Sequence, residues 1–192
     1  MIPHIVKHLP KEQYQELMKL TKIPLQYSTI GLRNWRAVKE AGIGMAMSPG
    51  NMHQAVNMDF PTSMGGYEYT NSPNDPCILH MRCCLQGDTH GAPAIQQFKE
   101  ARYRMLGKKF SDYEAEIREH LTGMLPKNYF NFDRDVASIT VNRWAHGYSY
   151  GKVSEIGVRP FGKIAIANSD ASGSSLMNRA IEEAWRAVKE LS

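Results

Sequence analysis

Lys163-Ile-Ala-Ile-Ala-Asn168, then Ser169-Asp-Ala-Ser-Gly-Ser-Ser175, then the run Leu176–Leu191 decide how this chain is read. The first piece is a short apolar segment and the second a turn of small polar residues. The third places Ala180, Ile181, Ala184, Trp185, Val188 and Leu191 on one broad helical stripe that calls for burial. A strand that stops in a Gly/Ser turn and opens a helix aims backbone N–H groups, and the positive end of the helix dipole, at whatever lies above it. Such a place seats an anion or an electron-rich ring. A strand that is apolar throughout belongs inside a parallel sheet, covered on both faces. Few other segments here qualify as its parallel neighbours. No Gly-x-Gly-x-x-Gly occurs, because Gly42-Ile-Gly44-Met-Ala-Met47 lacks the third glycine. The chain therefore reads as the closing part of a cofactor-binding enzyme whose opening part lies elsewhere.

Composition bounds the rest. With 192 residues and 42% hydrophobic content, the chain has material for a real core. The net charge of +4 is mild and its basic residues are dispersed along helices, so a nucleic-acid surface is disfavoured. Cys77, Cys83 and Cys84 are an odd number without metal spacing. Adjacent Cys83 and Cys84 would face opposite sides of a strand, so small residues filling a sheet is the reading for them, and no metal site is expected. There is no run of 18 apolar residues and no signal-peptide core at the N-terminus. Cytoplasmic residence and export with a partner both stay open.

Along the chain, Pro10–Leu20 predicts a helix, and Leu32, Trp35 and Val38 predict another over Ile30–Glu40, stopped by Gly42. Strands are expected over Ile43–Met47 and Gln54–Phe60 around a turn at Ser48–Asn51. Residues 61–76, with three prolines, read as an irregular excursion. Cys77–Leu85 is the clearest buried strand. Helices are expected over Ala94–Leu106 and Ser111–Leu125, the second opened by a capping box at Ser111 and Glu114, and a strand over Val136–Trp144. The order implies a mixed α+β and α/β layer architecture with a parallel element only at the end.

The run Ile139-Thr-Val-Asn-Arg-Trp-Ala-His-Gly-Tyr-Ser-Tyr150, followed by Arg159-Pro-Phe-Gly-Lys-Ile-Ala-Ile-Ala-Asn-Ser-Asp170, resembles the C-terminal end of flavin-dependent amine oxidoreductases, closest to bacterial spermidine dehydrogenases. Lys22-Ile-Pro-Leu-Gln-Tyr27, Leu32-Arg-Asn-Trp-Arg36, Asp59-Phe-Pro61 with Gly65-Gly-Tyr67, and Leu79-His-Met81 resemble stretches of the same proteins in the same order. The resemblance spans about Ile5 to Leu191. It implies the C-terminal part of the amine oxidase fold, with residues 1–135 mostly from the substrate domain and 136–192 closing the FAD-binding domain. It also implies FAD as cofactor. A larger partner would carry the Gly-rich half, the substrate would be an amine of the polyamine type, and an electron acceptor would be needed. Some such enzymes also carry haem, for which this chain has no recognisable motif. Ala145 stands where the family often has Pro, and the turn after Asp170 lacks the aromatic residue sometimes found there.

The resemblance assigns roles. Asn168, Ser169 and Asp170 would meet the cofactor, the Asp170 carboxylate taking a hydroxyl of FAD. Ser174, Ser175 and Leu176 would offer backbone N–H groups to the flavin ring edge. Trp144 and Tyr148 would wall the amine site, with His146 as a candidate base. His80 and Met81 alternate to opposite faces of their strand, so at most one of them faces a cavity. Apart from the resemblance, Asp59, Asp75 and Glu68 are the carboxylates expected to meet a cationic substrate because they lie in the loop-rich segment, and no spacing singles out any one of them. Three functions follow: an enzyme subunit completing a flavin site, an assembly subunit that kept the fold and lost the chemistry, or, behind both, a freestanding small-molecule-binding domain.

Overall fold

The computed structural model describes residues 2–192. In chain order its elements are α1 (Ile2–Ile5), α2 (Lys11–Met18), β1 (Thr21–Leu32), α3 (Arg36–Glu40), β2 (Met45–Met47), β3 (Ala55–Met58) and β4 (Cys77–Cys84). They continue with α4 (Ala94–Gly107), α5 (Phe110–Met124), α6 (Phe132–Asp135), β5 (Val136–Tyr150), α7 (Glu155–Val158), a 3-10 turn (Ser169–Ser172) and α8 (Met177–Leu191). The chain is a mixed α/β protein. It divides into two compact units, one of residues 25–85 and 102–144, the other of residues through 24, 86–101 and 145–192.

The first unit is built on the sheet, whose strand order is β2-β3-β4-β1-β5. β2 with β3, β3 with β4 and β4 with β1 pair antiparallel. β5 begins where β1 ends, with Arg33 N–H donating to the Asp135 carbonyl at 2.8 Å. Along β4 the side chains alternate: Cys77, Leu79, Met81 and Cys83 are buried, while Ile78, His80, Arg82 and Cys84 are half-buried. That is the period-2 pattern of a sheet with one core face. Ile30, Leu32, Val56, Leu79 and Met81 meet Ile117, Leu121 and Leu125 across that face, with Phe130 and Phe132 closing the cluster. Tyr113, Ile117 and Leu121 recur at i, i+4 and i+8 on α5, so one helix stripe serves the whole core. Gly31 lets β1 and β5 approach: a Cβ there would stand 2.5 Å from the Ser138 hydroxyl oxygen.

The second unit has a smaller core of Leu17, Val153, Ile166 and Ala171. Gln13, fully buried on α2, donates from Nε2 to the Arg159 carbonyl at 2.7 Å and holds the α7 segment.

Three expectations are corrected. Lys163–Asn168 is not a strand; only an isolated antiparallel bridge joins Phe161 to Ile164 around Gly162, at φ 57°. A fully apolar strand needs neighbours on both edges, and none forms here, so the parallel closing element is absent among the described residues. The helix read over Ile30–Glu40 keeps only Arg36–Glu40, since Ile30–Leu32 lie in β1, a twelve-residue strand that the sequence pattern did not reveal. The N-cap of α5 is Lys109 and not Ser111, with the Asp112 carboxylate accepting the Lys109 N–H at 2.8 Å.

The largest surprise is α8. Its apolar side faces outward, with Met177, Ile181, Trp185, Val188 and Leu191 all exposed, Ile181 and Trp185 each at 64%. Only Ala187 of this helix is buried.

Candidate functional site

His146, Tyr148 and Tyr150 alternate with Ala145, Gly147 and Ser149 in the last third of β5, so the three rings lie on one side of the strand. All three are exposed, whereas Ala145, Gly147 and Ser149 are half-buried. Tyr150 meets Phe98 edge to face, with ring centroids 5.1 Å apart. Trp144, in the sheet unit, is 57% exposed. The aromatic positions singled out by sequence are therefore surface rings and not core ones.

Ser175 ties the start of α8 to this strand. Its hydroxyl accepts the Ser149 N–H at 2.9 Å and lies 3.2 Å from the Ser149 hydroxyl. Gly173, in the left-handed region at φ 74°, ends the 3-10 turn beside Lys152, whose Cα would lie 2.8 Å from an added Cβ. Any side chain there would clash and be strained. The turn is internally bonded. The Asn168 side chain accepts the Ala171 N–H at 3.2 Å as its cap, and the Ser169 carbonyl takes the Ser172 hydroxyl at 2.7 Å. Ser174 N–H donates to Ser169 O at 3.4 Å and Leu176 N–H to Ser174 O at 3.0 Å.

Asp170 pairs with Lys22, Oδ1 to Nζ at 2.5 Å, both side chains mostly buried. Its Oδ2 has no partner among the described residues. Leu176, the N-cap of α8, is exposed and brings no side-chain acceptor to the first turn. The helix thus opens without a cap, next to the half-buried Ser174 and Ser175. This arrangement can accept a hydroxyl at Asp170 and face an anionic or electron-rich group at the α8 N-terminus.

The sheet unit has polar groups of its own. His80 Nε2 lies 3.1 Å from Asp59 Oδ1, with the Tyr27 ring 5.5 Å away. Sequence named His80 and Asp59 separately, and folding joins them because Asp59 N–H donates to the Ile78 carbonyl at 3.0 Å beside β4. In the neutral ring the carboxylate takes the Nε2–H, leaving Nδ1 as an acceptor, and Nδ1 is buried without a partner. Asp75 is spent on its own turn, accepting the Ser72 N–H at 3.0 Å. Glu68 is exposed.

A second cluster gave no sequence signal. His53 is fully buried, its Nε2 lying 2.9 Å from the Gln26 amide nitrogen and 3.1 Å from the Ser28 hydroxyl. His120 follows at 6.4 Å between ring centroids and meets Ser48 through Nε2 at 2.9 Å. Burial, then the nearby charges of His120 and Lys108, push the His53 pKa down to about 4, so its ring is neutral near neutral pH. Burial likewise raises Cys77 to about 12 and Cys83 to about 11, which makes both thiols poor nucleophiles. Among the described residues no three His, Cys, Asp or Glu side chains stand together in a way that could hold a metal ion. No helix is long and apolar enough to cross a membrane.

Neither a protein-family model nor a curated protein sequence matches this chain.

Proposed function

We propose that this chain is the C-terminal portion of an FAD-dependent amine dehydrogenase of the polyamine, spermidine-like type, working with a larger partner that carries the Gly-x-Gly-x-x-Gly half. The observation that carries the reading is the outward apolar side of α8 beside its own uncapped N-terminus. Five large apolar side chains along one helix cost solvation free energy unless another surface covers them. A partner bearing the Gly-rich half would cover them and form with this chain the amine oxidase fold that the resemblance implies. Interfaces of that obligate kind run above roughly 2,000 Å².

The residues present fit a flavin. Asp170 Oδ2 would take a hydroxyl of the cofactor and the α8 N-terminus would favour negative charge on its ring; bound flavin would supply the hydride acceptor for the carbon next to the amine nitrogen. This chain's own part is to bind and orient. Of the three backbone N–H groups expected at the ring edge, the Ser174 and Leu176 ones are already taken by the Ser169 and Ser174 carbonyls, which leaves Ser175 for that role. Tyr148 or Trp144 presents an aromatic face to a cationic amine. His146 receives the ammonium proton so that the amine is neutral before it reacts.

A second reading, a non-catalytic assembly subunit, is favoured by one observation: the Asp170 carboxylate already has a cation in Lys22. Anaerobic addition of spermidine to the complex separates the two. Bleaching of the flavin absorbance supports the dehydrogenase, and a flavin that no amine reduces supports the assembly role.

A further inference from the structure

In the sheet unit a cavity of about 310 Å³ opens where β1 runs into α3, walled on its far side by the segment from Asn128 to Asp135. Three guanidinium-bearing residues, Arg33, Arg36 and Arg134, line it, against a single carboxylate. That carboxylate, Asp135, is 2% exposed and fully committed. It takes Arg134 in a fork, Nε on Oδ1 at 2.8 Å and Nη2 on Oδ2 at 2.7 Å. It also accepts the Asn131 N–H at 2.8 Å and the Asn34 amide at 3.1 Å. Arg134 is fixed further by donating to the Tyr129 carbonyl at 3.0 Å. One cation of the three is thereby neutralised and becomes part of the frame.

The other two are not. Arg36 uses its Nε on Asn74 Oδ1 at 2.6 Å, which leaves both terminal nitrogens without partners among the described residues. The Arg33 guanidinium has no hydrogen bond or ion pair there at all, although its backbone is pinned to the Asp135 carbonyl. The backbone around them is rigidly placed, with Trp35 N–H donating to the Pro73 carbonyl at 2.9 Å and the Trp35 indole to Thr70 at 2.8 Å. Two uncompensated forks at one concave site repel each other and lose that repulsion when a doubly charged oxyanion enters. Planar guanidinium forks match phosphate oxygens two at a time. A cavity of this size exceeds a lone phosphate and lies at the lower end of small-ligand pockets, and its concavity suits a small molecule over a flat lipid surface.

We infer that Arg33 and Arg36, with Arg134 held in place by Asp135, form a binding site for the phosphate group of a small phosphorylated molecule. The site lies wholly within the sheet unit and owes nothing to the flavin reading, so either can fail alone.

The test is isothermal titration of the purified protein, with its partner if one copurifies, using inorganic phosphate and pyrophosphate at low ionic strength. One saturable site is expected. Arg33→Gln and Arg36→Gln should each weaken it at least about tenfold, as loss of a charge-assisted bond does, with melting temperatures unchanged because both residues are exposed. Lys39→Gln, an exposed charge on α3 outside the lining, should leave binding as it is. Absence of binding by either probe would overturn the proposal. So would equal weakening by Lys39→Gln, which marks diffuse charge attraction, or retention only by phosphatidylglycerol vesicles, which marks a lipid surface.

Discussion

Arg186 donates from Nη2 to the carbonyl oxygen of Ile166 at 2.6 Å, so α8 is fastened to its own unit by its charged side. The same guanidinium bridges Glu183 at 2.8 Å and Glu190 at 2.5 Å, and Ala187 is buried between them in sequence. The apolar side is thereby turned out. Met177, Ile181, Ala184, Val188 and Leu191 follow one another at spacings of four, three, four and three residues, the seam of a helix that packs against another surface.

Charging that seam should separate assembly from folding. Ile181→Asp or Trp185→Ser touches little within this chain, so unfolding free energy should move by no more than about 0.5 kcal/mol. Association with the partner should be lost. Urea denaturation beside light scattering reads both quantities, and a large loss of stability in either variant would mean the seam is packed within this chain.

Exposure also sets the outcome at the aromatic positions. Burying an aromatic ring makes its removal cost about 3–5 kcal/mol, and Trp144 and Tyr148 are not buried. Trp144→Ala and Tyr148→Ala should therefore leave the melting temperature close to its original value and slow flavin reduction by amines in the complex. Stopped-flow reduction with spermidine is the measurement; unchanged rates in both variants would remove them from the amine site.

Asp170→Ala should lower flavin retention in the complex by about 10- to 150-fold, the worth of one charge-assisted hydrogen bond. Lys22→Met breaks the same ion pair from the other side and should keep the flavin. Dialysis followed by flavin quantitation compares them. Equal loss in both would make the pair, and not the carboxylate's hold on the cofactor, the determinant.

His53 gives the protein an acid weakness. Its ordinary pKa near 6.5 falls to about 4 in the folded chain, first through burial. Between those values the unfolded chain holds a proton that the folded chain refuses, so this contribution to stability is whole above 6.5 and shrinks as pH falls toward 4. The loss should be about 2 kcal/mol between roughly pH 7 and pH 5. Unfolding free energies at the two values, for the parent and for His53→Gln, test this; the variant should show a flatter profile.

How much of this was legible in the sequence depended on range. Leu79, Met81 and Cys83 announce β4 by alternation alone, and the stripe on α8 is plain from periodicity. Periodicity says which side of a helix is apolar, not what covers it, so the exposure of Trp185 could not be read. β1 was hidden because Leu32, Trp35 and Val38 imitate a helix stripe, while pairs such as Ile30 with Leu79 that make it a strand are distant in sequence. Lys163–Asn168 has strand composition without a strand to pair with. The candidate site divides the same way: Tyr148 and Asp170 were visible through motif resemblance, whereas the Arg33–Arg36–Arg134 cavity and the His53–Gln26–Ser28 contacts exist only after folding.

On the proposed function, this chain completes a flavin site held in common with a larger partner. Coexpression with a chain carrying the Gly-x-Gly-x-x-Gly half, followed by gel filtration read at a flavin wavelength, tests it directly. The two chains are expected to coelute with flavin, and this chain expressed alone to aggregate or to elute without flavin. A flavin-loaded monomer of this chain alone, or a well-behaved monomer that ignores the partner, would contradict it.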